Sequence, residues 1–199
     1  MARALNVFEE KFLRQYFGDS LKTPRIRIMA TPVPRAHSVY GNYIGLPTWC
    51  FLCGDSAAEV DLANTYAAAT FAHEAVHVWQ RQQGLWVTWK GLWLQLGYGL
   101  GIDPYVYDCS EHDPDVLLEY FRSGNIEQQG QIVEDLVVAE RTGQHIEKFR
   151  AVREYLHSLA HRALSSDTDF RRVTLARECE CEDRGKGSRS APARESPPG

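Results

Sequence analysis

One short segment combines the side-chain types that a catalytic zinc site needs. It reads His73-Glu74-Ala75-Val76-His77, two histidines four positions apart with a glutamate after the first. On a helix, side chains four residues apart lie on the same face, so both imidazoles can reach one ion. Zinc accepts such nitrogen ligands and keeps one position open for water in catalytic sites. Glu74 would lie beside that water as the general base, so the spacing predicts a zinc-dependent peptidase or amide hydrolase.

A catalytic zinc ion needs a third protein ligand, and the residues after the motif restrict its origin. A third histidine in the extended motif would require glycine at position 80 and histidine at 83, but the chain has Gln80 and Gln83. The other common solution is a carboxylate from a later helix. Three residues qualify: Glu119, Glu127 and Glu134. Glu127 and Glu134 flank the same apolar face, and the glycine at position 130 would admit a second helix closely beside Glu127.

Other polar groups are weaker candidates for chemistry. His157 and His161 are four residues apart but lack the intervening glutamate, and they fall off the apolar stripe of their helix. We interpret them as a solvated or weakly metal-binding face. Tyr105, Tyr107 and His112 are candidate hydrogen-bond donors to a reaction oxyanion, although an ordinary loop role is favoured for each.

The cysteines favour a reducing compartment over a disulfide framework. Their number, five, is odd, and the segment Met1–Phe17 alternates charged with apolar residues instead of forming a secretory signal peptide. Cys50 and Cys53 form a CxxC within an apolar segment that has no second CxxC. We therefore expect buried thiols there instead of a metal site or a redox pair, and a chain that is cytoplasmic at synthesis.

The elements that must position the histidines follow from periodicity and from helix-breaking residues. The pattern predicts an α+β fold, mainly helical, with a small N-terminal β-sheet. Helices are predicted over residues 5–17, 65–83, 126–141 and 146–164, and strands over 25–28, 48–52 and 105–107. Asn64 and Gly84 are the expected caps of the helix that carries the motif.

Composition limits the domain organisation and the partners. A domain over residues 1–177 and a disordered tail over 178–199 are predicted, because Pro, Gly, Ser and charged residues dominate the end of the chain. The net charge of −4 gives no reason to expect a nucleic-acid partner. The apolar segment 84–102 contains four glycines after Gly84, so burial in the domain is favoured over a membrane span.

The residues around the motif resemble a group of bacterial zincin-like proteins called Vgr-related or Rhs-associated. The resemblance rests on segments 73–80 and 125–133, and extends to residues 17–20 and 25–28. The group is distantly similar to the metallopeptidase-like core domain of contractile injection systems. The resemblance implies a Glu-type zincin fold with Zn²⁺ held by His73, His77 and Glu127, and a peptide or protein substrate.

The same resemblance implies a second function and leaves one feature of the site open. The alternative is a non-catalytic zincin-fold module associated with a secretion or contractile injection apparatus, with an apparatus protein as partner and export by that route. Glu-type zincins often have an aspartate four residues after the third ligand that supports a zinc histidine. The chain has Gln131 at that position, so the residue that orients each histidine is left open.

Overall fold

A small sheet and five α-helices form the described part of the protein in this computed structural model. The structure describes residues 2–32, 41–54, 58–85, 103–107 and 113–159. All of them belong to the compact unit Met1–His161. The mainly helical α+β class predicted from the sequence is confirmed in these ranges, and so is the position of the sheet near the N-terminus.

The sheet has three strands in the order β1 (Arg3–Ala4), β2 (Arg27–Thr31) and β3 (Tyr43–Pro47). β1 is antiparallel to β2, whereas β2 and β3 run parallel. The strand predicted over 25–28 begins two residues late, because Thr23–Arg25 forms a 3-10 turn with a proline in its first positions. The prediction over 48–52 is wrong: Thr48–Cys50 is a 3-10 turn, and the strand precedes it.

Helix α1 (Val7–Phe17) packs one face into the core. Asn6 accepts hydrogen bonds from the backbone of Phe8 and Glu9, and the Glu9 carboxylate accepts one from the Asn6 backbone N–H. This reciprocal cap begins the helix two residues later than predicted. The buried face of α1 includes Phe12, whose ring lies against Phe71 of α2, and Phe17, whose ring lies against Trp79.

Helix α2 (Thr65–Gln82) is the central element of the fold. Asn64 caps its N-terminus as predicted, accepting hydrogen bonds from the N–H groups of Tyr66 and Ala67. At the other end Gly84 has a φ of 86°, a left-handed conformation that glycine adopts without strain. Every residue from 71 to 80 is buried. A helix buried on all sides must satisfy its polar side chains internally.

The helices after the sheet complete the layer around α2. They are α3 (Pro114–Ser123), α4 (Ile126–Thr142) and α5 (150–159), the last preceded by a 3-10 turn at Ile146–Phe149. Pro114 is the first residue of α3, a position where its missing N–H costs nothing. Residues 105–107 form no strand. α4 packs along α2, with Asn125 as its cap and left-handed Gly143 at its end.

Several sequence predictions concern residues that lie outside the described ranges. They include the apolar segment beyond Leu85, His112, His161, the end of the helix predicted to 164, and the tail over 178–199. Among the residues that are described, no helix is both long and apolar enough to cross a membrane.

Candidate metal centre

Helices α2 and α4 bring two imidazoles and one carboxylate together. Nε2 of His73 lies 3.5 Å from Oε2 of Glu127, and Nε2 of His77 lies 3.4 Å from the same oxygen. One ligand atom from each of the three residues lies within 4.8 Å of the others, and all three are buried. Two imidazole nitrogens and a carboxylate oxygen are a donor set that suits zinc and other first-row divalent cations. The group can therefore hold a metal ion.

The close approach of α4 to the histidines depends on a glycine. A Cβ atom placed on Gly130 would lie 2.7 Å from Nε2 of His73 and 2.9 Å from two carbons of the same ring. No side chain fits at such distances, so only glycine lets α4 lie this close to the imidazole. Gly130 is three residues after Glu127 and therefore on the same face of α4.

The second nitrogen of each imidazole has its own partner. Nδ1 of His73 lies 2.9 Å from Oε2 of Glu134, and Nδ1 of His77 lies 3.0 Å from Oε1 of Gln80. Each partner is a hydrogen-bond acceptor, so it favours the proton on Nδ1 and leaves Nε2 with a lone pair for a cation. Glu134, an open candidate for third ligand, therefore contacts the opposite side of the His73 ring from Glu127.

The electrostatics of the centre favour a cation. Burial lowers the pKa of His73, but the carboxylates of Glu127 and Glu134 outweigh burial and raise that pKa to about 10. Burial likewise opposes the charge of Glu127, and the two imidazoles outweigh it and hold the pKa of this carboxyl far below its ordinary range. A buried carboxylate needs a positive partner. Here the proton of His73 supplies it, and a divalent cation between the three side chains would do the same.

Glu74 lies on α2 beside the centre and is 5% exposed. Its negative charge helps to raise the pKa of His73. It also acts on Cys50: burial, and then the charge of Glu74, raise the pKa of this thiol to about 12. Such a thiol stays protonated, which disfavours the redox function considered for the CxxC. Cys50 is buried as expected, but the expectation of a buried Cys53 is wrong, because this thiol is exposed.

The segment 103–107 lies against the centre. Asn125 donates a hydrogen bond to the carbonyl of Pro104, and Gln128 donates one to the carbonyl of Val106. These two bonds from the first turn of α4 hold the segment in place. The ring of Tyr105 consequently lies 6.2 Å from the imidazole of His73, centroid to centroid. Of the candidate oxyanion donors in the described ranges, it is the one near the metal centre.

The remaining candidates from the sequence lie elsewhere. Glu119 is exposed on α3. The hydroxyl of Tyr107 bonds to the carboxylate of Asp135, one helical turn beyond Gln131. Nε2 of His157 lies 2.7 Å from the carbonyl of Gln15, so this histidine joins α5 to α1.

Sequence reasoning did not find the supporting roles of Gln80 and Glu134. A signal was present for Gln80, because it lies three residues after His77 and so on the same helical face. Glu134 is seven residues after Glu127, two helical turns along the same face. The spacing marked it as a candidate without distinguishing a ligand from a support.

The chain is similar in sequence to a component of a bacterial secretion machine. It is 31% identical over 137 residues to the type VI secretion system spike protein VgrG2b of Pseudomonas aeruginosa. The matched region covers 67% of this chain. The chain spans only 13% of the length of that spike protein. The similarity supports a link to Vgr-related proteins. No protein-family model and no solved structure matches the chain.

Proposed function

We propose that this chain is a zinc-dependent hydrolase of peptide or amide bonds that works in association with a type VI secretion apparatus. The convergence of His73, His77 and Glu127 on one point supports the catalytic part of the proposal. The sequence similarity to a spike protein supports the association with the apparatus. The zincin-like fold implied by the sequence remains part of the same proposal.

The residues fit the chemistry of a zinc hydrolase. Nε2 of His73, Nε2 of His77 and a carboxylate oxygen of Glu127 would hold the ion, and the partners on Nδ1 keep both imidazoles in the required tautomer. When bound, zinc would polarise the scissile carbonyl and make water a stronger nucleophile at neutral pH.

Glu74 would move the proton during hydrolysis. Its carboxylate would accept a proton from the attacking water and then deliver it to the nitrogen of the leaving amine. Burial of Glu74, at 5% exposure, keeps bulk water from competing for that proton. Tyr105, held beside His73 by α4, would form part of the wall against which the substrate lies.

The experiment that tests the proposal replaces the proton carrier without touching the ligands. Purified Glu74→Gln, wild type and the control Glu119→Gln are loaded with zinc, measured for metal content, and incubated with a mixture of synthetic peptides. New peptide termini are then identified by mass spectrometry. We expect about one zinc per chain in all three proteins and cleavage by wild type and the control only. Cleavage by Glu74→Gln at the wild-type rate would refute the proposed mechanism, and His73→Ala should lose the metal.

A second candidate is a non-catalytic module that serves the secretion apparatus and uses zinc to stabilise its structure. The similarity to a spike protein favours an association with the apparatus, and it gives no support to hydrolysis. It predicts zinc in the wild type, no peptide cleavage, and unchanged association of Glu74→Gln with a spike protein in a co-purification experiment. Peptide cleavage that depends on Glu74 would exclude it.

A further inference from the structure

We infer that Gln80 is a positioning residue that fixes the tautomer of His77 and ties it to the turn of α4 that carries Glu127. The inference rests on the metal centre of the proposed function and extends it to a residue outside the ligand set. Gln80 is fully buried, with 0% exposure, seven residues after His73 on the same face of α2. A buried amide must find partners for its oxygen and for both of its N–H groups.

The oxygen and both N–H groups of the Gln80 amide each have a partner. Oε1 lies 3.0 Å from Nδ1 of His77. Nε2 donates to the carbonyl of Ile126 at 3.1 Å and to Oε1 of Gln129 at 2.7 Å. The amide is therefore satisfied within one interface between α2 and α4.

The backbone determines the orientation of this amide. The Ile126 carbonyl can only accept, so a reversed Gln80 amide would bring two oxygens together there. The Gln129 amide is oriented in the same way, because its own Nε2 donates to the carbonyl of Phe121 at 2.8 Å. The backbone carbonyls of Ile126 and Phe121 thus fix the orientation of both amides, and the oxygen of Gln80 consequently faces His77.

An oxygen in that position sets the state of the imidazole. Nδ1 of His77 must carry the proton in order to donate to it, which leaves Nε2, 3.4 Å from Glu127, as the nitrogen that a cation would bind. Ile126, whose carbonyl the same amide binds, directly precedes Glu127 in the first turn of α4. One side chain therefore orients a ligand from α2 and anchors the turn that delivers the ligand from α4.

The two histidines consequently have different supports. His73 is held by the carboxylate of Glu134, and His77 by a neutral amide that is itself bonded to backbone. A glutamate at position 80 would not substitute for the amide, because its carboxylate would face the Ile126 carbonyl and the Gln129 oxygen with no proton to share. The role requires an amide, and it depends on the hydrogen bonds more than on the shape of the side chain.

The test compares Gln80→Met, which keeps the length of the side chain and removes its hydrogen bonds, with Gln83→Met, an exposed position near the end of the same helix. Zinc dissociation constants are measured by competition with a chromophoric chelator, and folding is checked by thermal melting without metal. We expect zinc to bind Gln80→Met about 10- to 100-fold more weakly than wild type. Gln83→Met should bind zinc within about twofold of wild type, since its side chain does not reach the centre. Equal affinity of Gln80→Met and wild type would overturn the inference.

A second measurement separates this inference from the proposed function. The tautomer of His77 is read from ¹H–¹⁵N correlations of the metal-free protein at pH 8. Wild type should carry the proton on Nδ1, and Gln80→Met should lose this preference. A wild type in which Nδ1 of His77 carries no proton would overturn the inference without any variant. Suppose that the wild type binds no zinc, and that Nδ1 of His77 is protonated in the wild type but not in Gln80→Met. This result would refute the zinc enzyme and support the positioning role.

If Gln80→Met does not fold, Gln129→Ala removes one acceptor of the Gln80 amide at a half-buried position. It should weaken zinc binding measurably but less than Gln80→Met does, because the bond to the Ile126 carbonyl remains. Unchanged zinc affinity together with an unchanged His77 tautomer in Gln129→Ala would count against the chain of hydrogen bonds described above.

Discussion

Gly130→Ala is the substitution that tests the geometry of the centre most directly. It adds one methyl group at 2.7 Å from Nε2 of His73, about 0.7 Å inside the 3.4 Å at which ordinary contact begins. The three nearest atoms all belong to this one ring, so either the imidazole or α4 must move. Zinc ligand distances are held to within about 0.2 Å. A displacement of this size is therefore incompatible with an undisturbed site.

The expected magnitude follows from the size of that displacement. We expect zinc affinity to fall by about 100-fold, which corresponds to about 2.7 kcal/mol of binding free energy. Without metal the effects on folding partly cancel, because alanine favours a helix interior by about 1 kcal/mol over glycine while overpacking costs about 1–3 kcal/mol. At a zinc concentration that saturates the wild type, zinc should raise the melting temperature of Gly130→Ala by about 5–10 °C less than it raises that of the wild type.

The assay measures melting with a chelator and with excess zinc, together with a competition titration for the dissociation constant. Gln131→Ala is the matched control, since it changes the neighbouring residue of α4 to the same alanine, and the Gln131 side chain contacts Asp135, not the histidines. We expect its zinc affinity to equal that of wild type. If Gly130→Ala binds zinc as tightly as wild type, then α4 does not press on His73 and the proposed centre is wrong.

Two further predictions concern the carboxylates of the described residues. Glu134→Gln keeps an acceptor for Nδ1 of His73 but loses the charge, so zinc should bind about tenfold more weakly in the chelator competition, while Glu119→Gln should bind as wild type does. Burial opposes the charge of Glu9, but Arg3 and two backbone N–H groups outweigh it and hold the Glu9 pKa below the ordinary 4.5. This stabilisation is present above pH 4.5 and is lost as the pH falls through the folded-state value. Urea unfolding should therefore give Glu9→Gln a free energy of unfolding about 1–3 kcal/mol below that of wild type at pH 7. This difference should shrink below pH 4.5. A difference that stays constant with pH would contradict the lowered pKa of Glu9.

The helices were predictable because their signals are local. Asn64, Asn125, Gly84 and Gly143 mark helix ends through hydrogen bonds or backbone conformations that involve only a few neighbouring residues. The strands were less predictable, since β3 is defined by parallel pairing with β2 across a connection of eleven residues. Its sequence contains a glycine and ends in proline, and both residues are depleted in strands.

The site shows the same division between local and long-range information. The four-residue spacing of His73 and His77 on one helix is a local property, and the structure places both imidazoles on one point. The choice between Glu127 and Glu134 depends on how α4 rotates against α2, which no spacing within α4 can decide. The structure places the two carboxylates on different sides of the His73 ring. Glu127 and the adjacent Gly130 lie beside Nε2, whereas Glu134 contacts Nδ1.

The centre is an interface between two helical stripes. α2 contributes His73, His77 and Gln80 at relative positions 0, 4 and 7, and α4 contributes Glu127, Gly130 and Glu134 at 0, 3 and 7. Each stripe alone would bury polar groups at a cost of a few kcal/mol. Packed together, each imidazole nitrogen faces an oxygen of a carboxylate or an amide. Three of these four contacts cross from α2 to α4, so docking of α4 on α2 assembles the candidate ligand set. A cation bound there would therefore also stabilise the packing of α4 on α2.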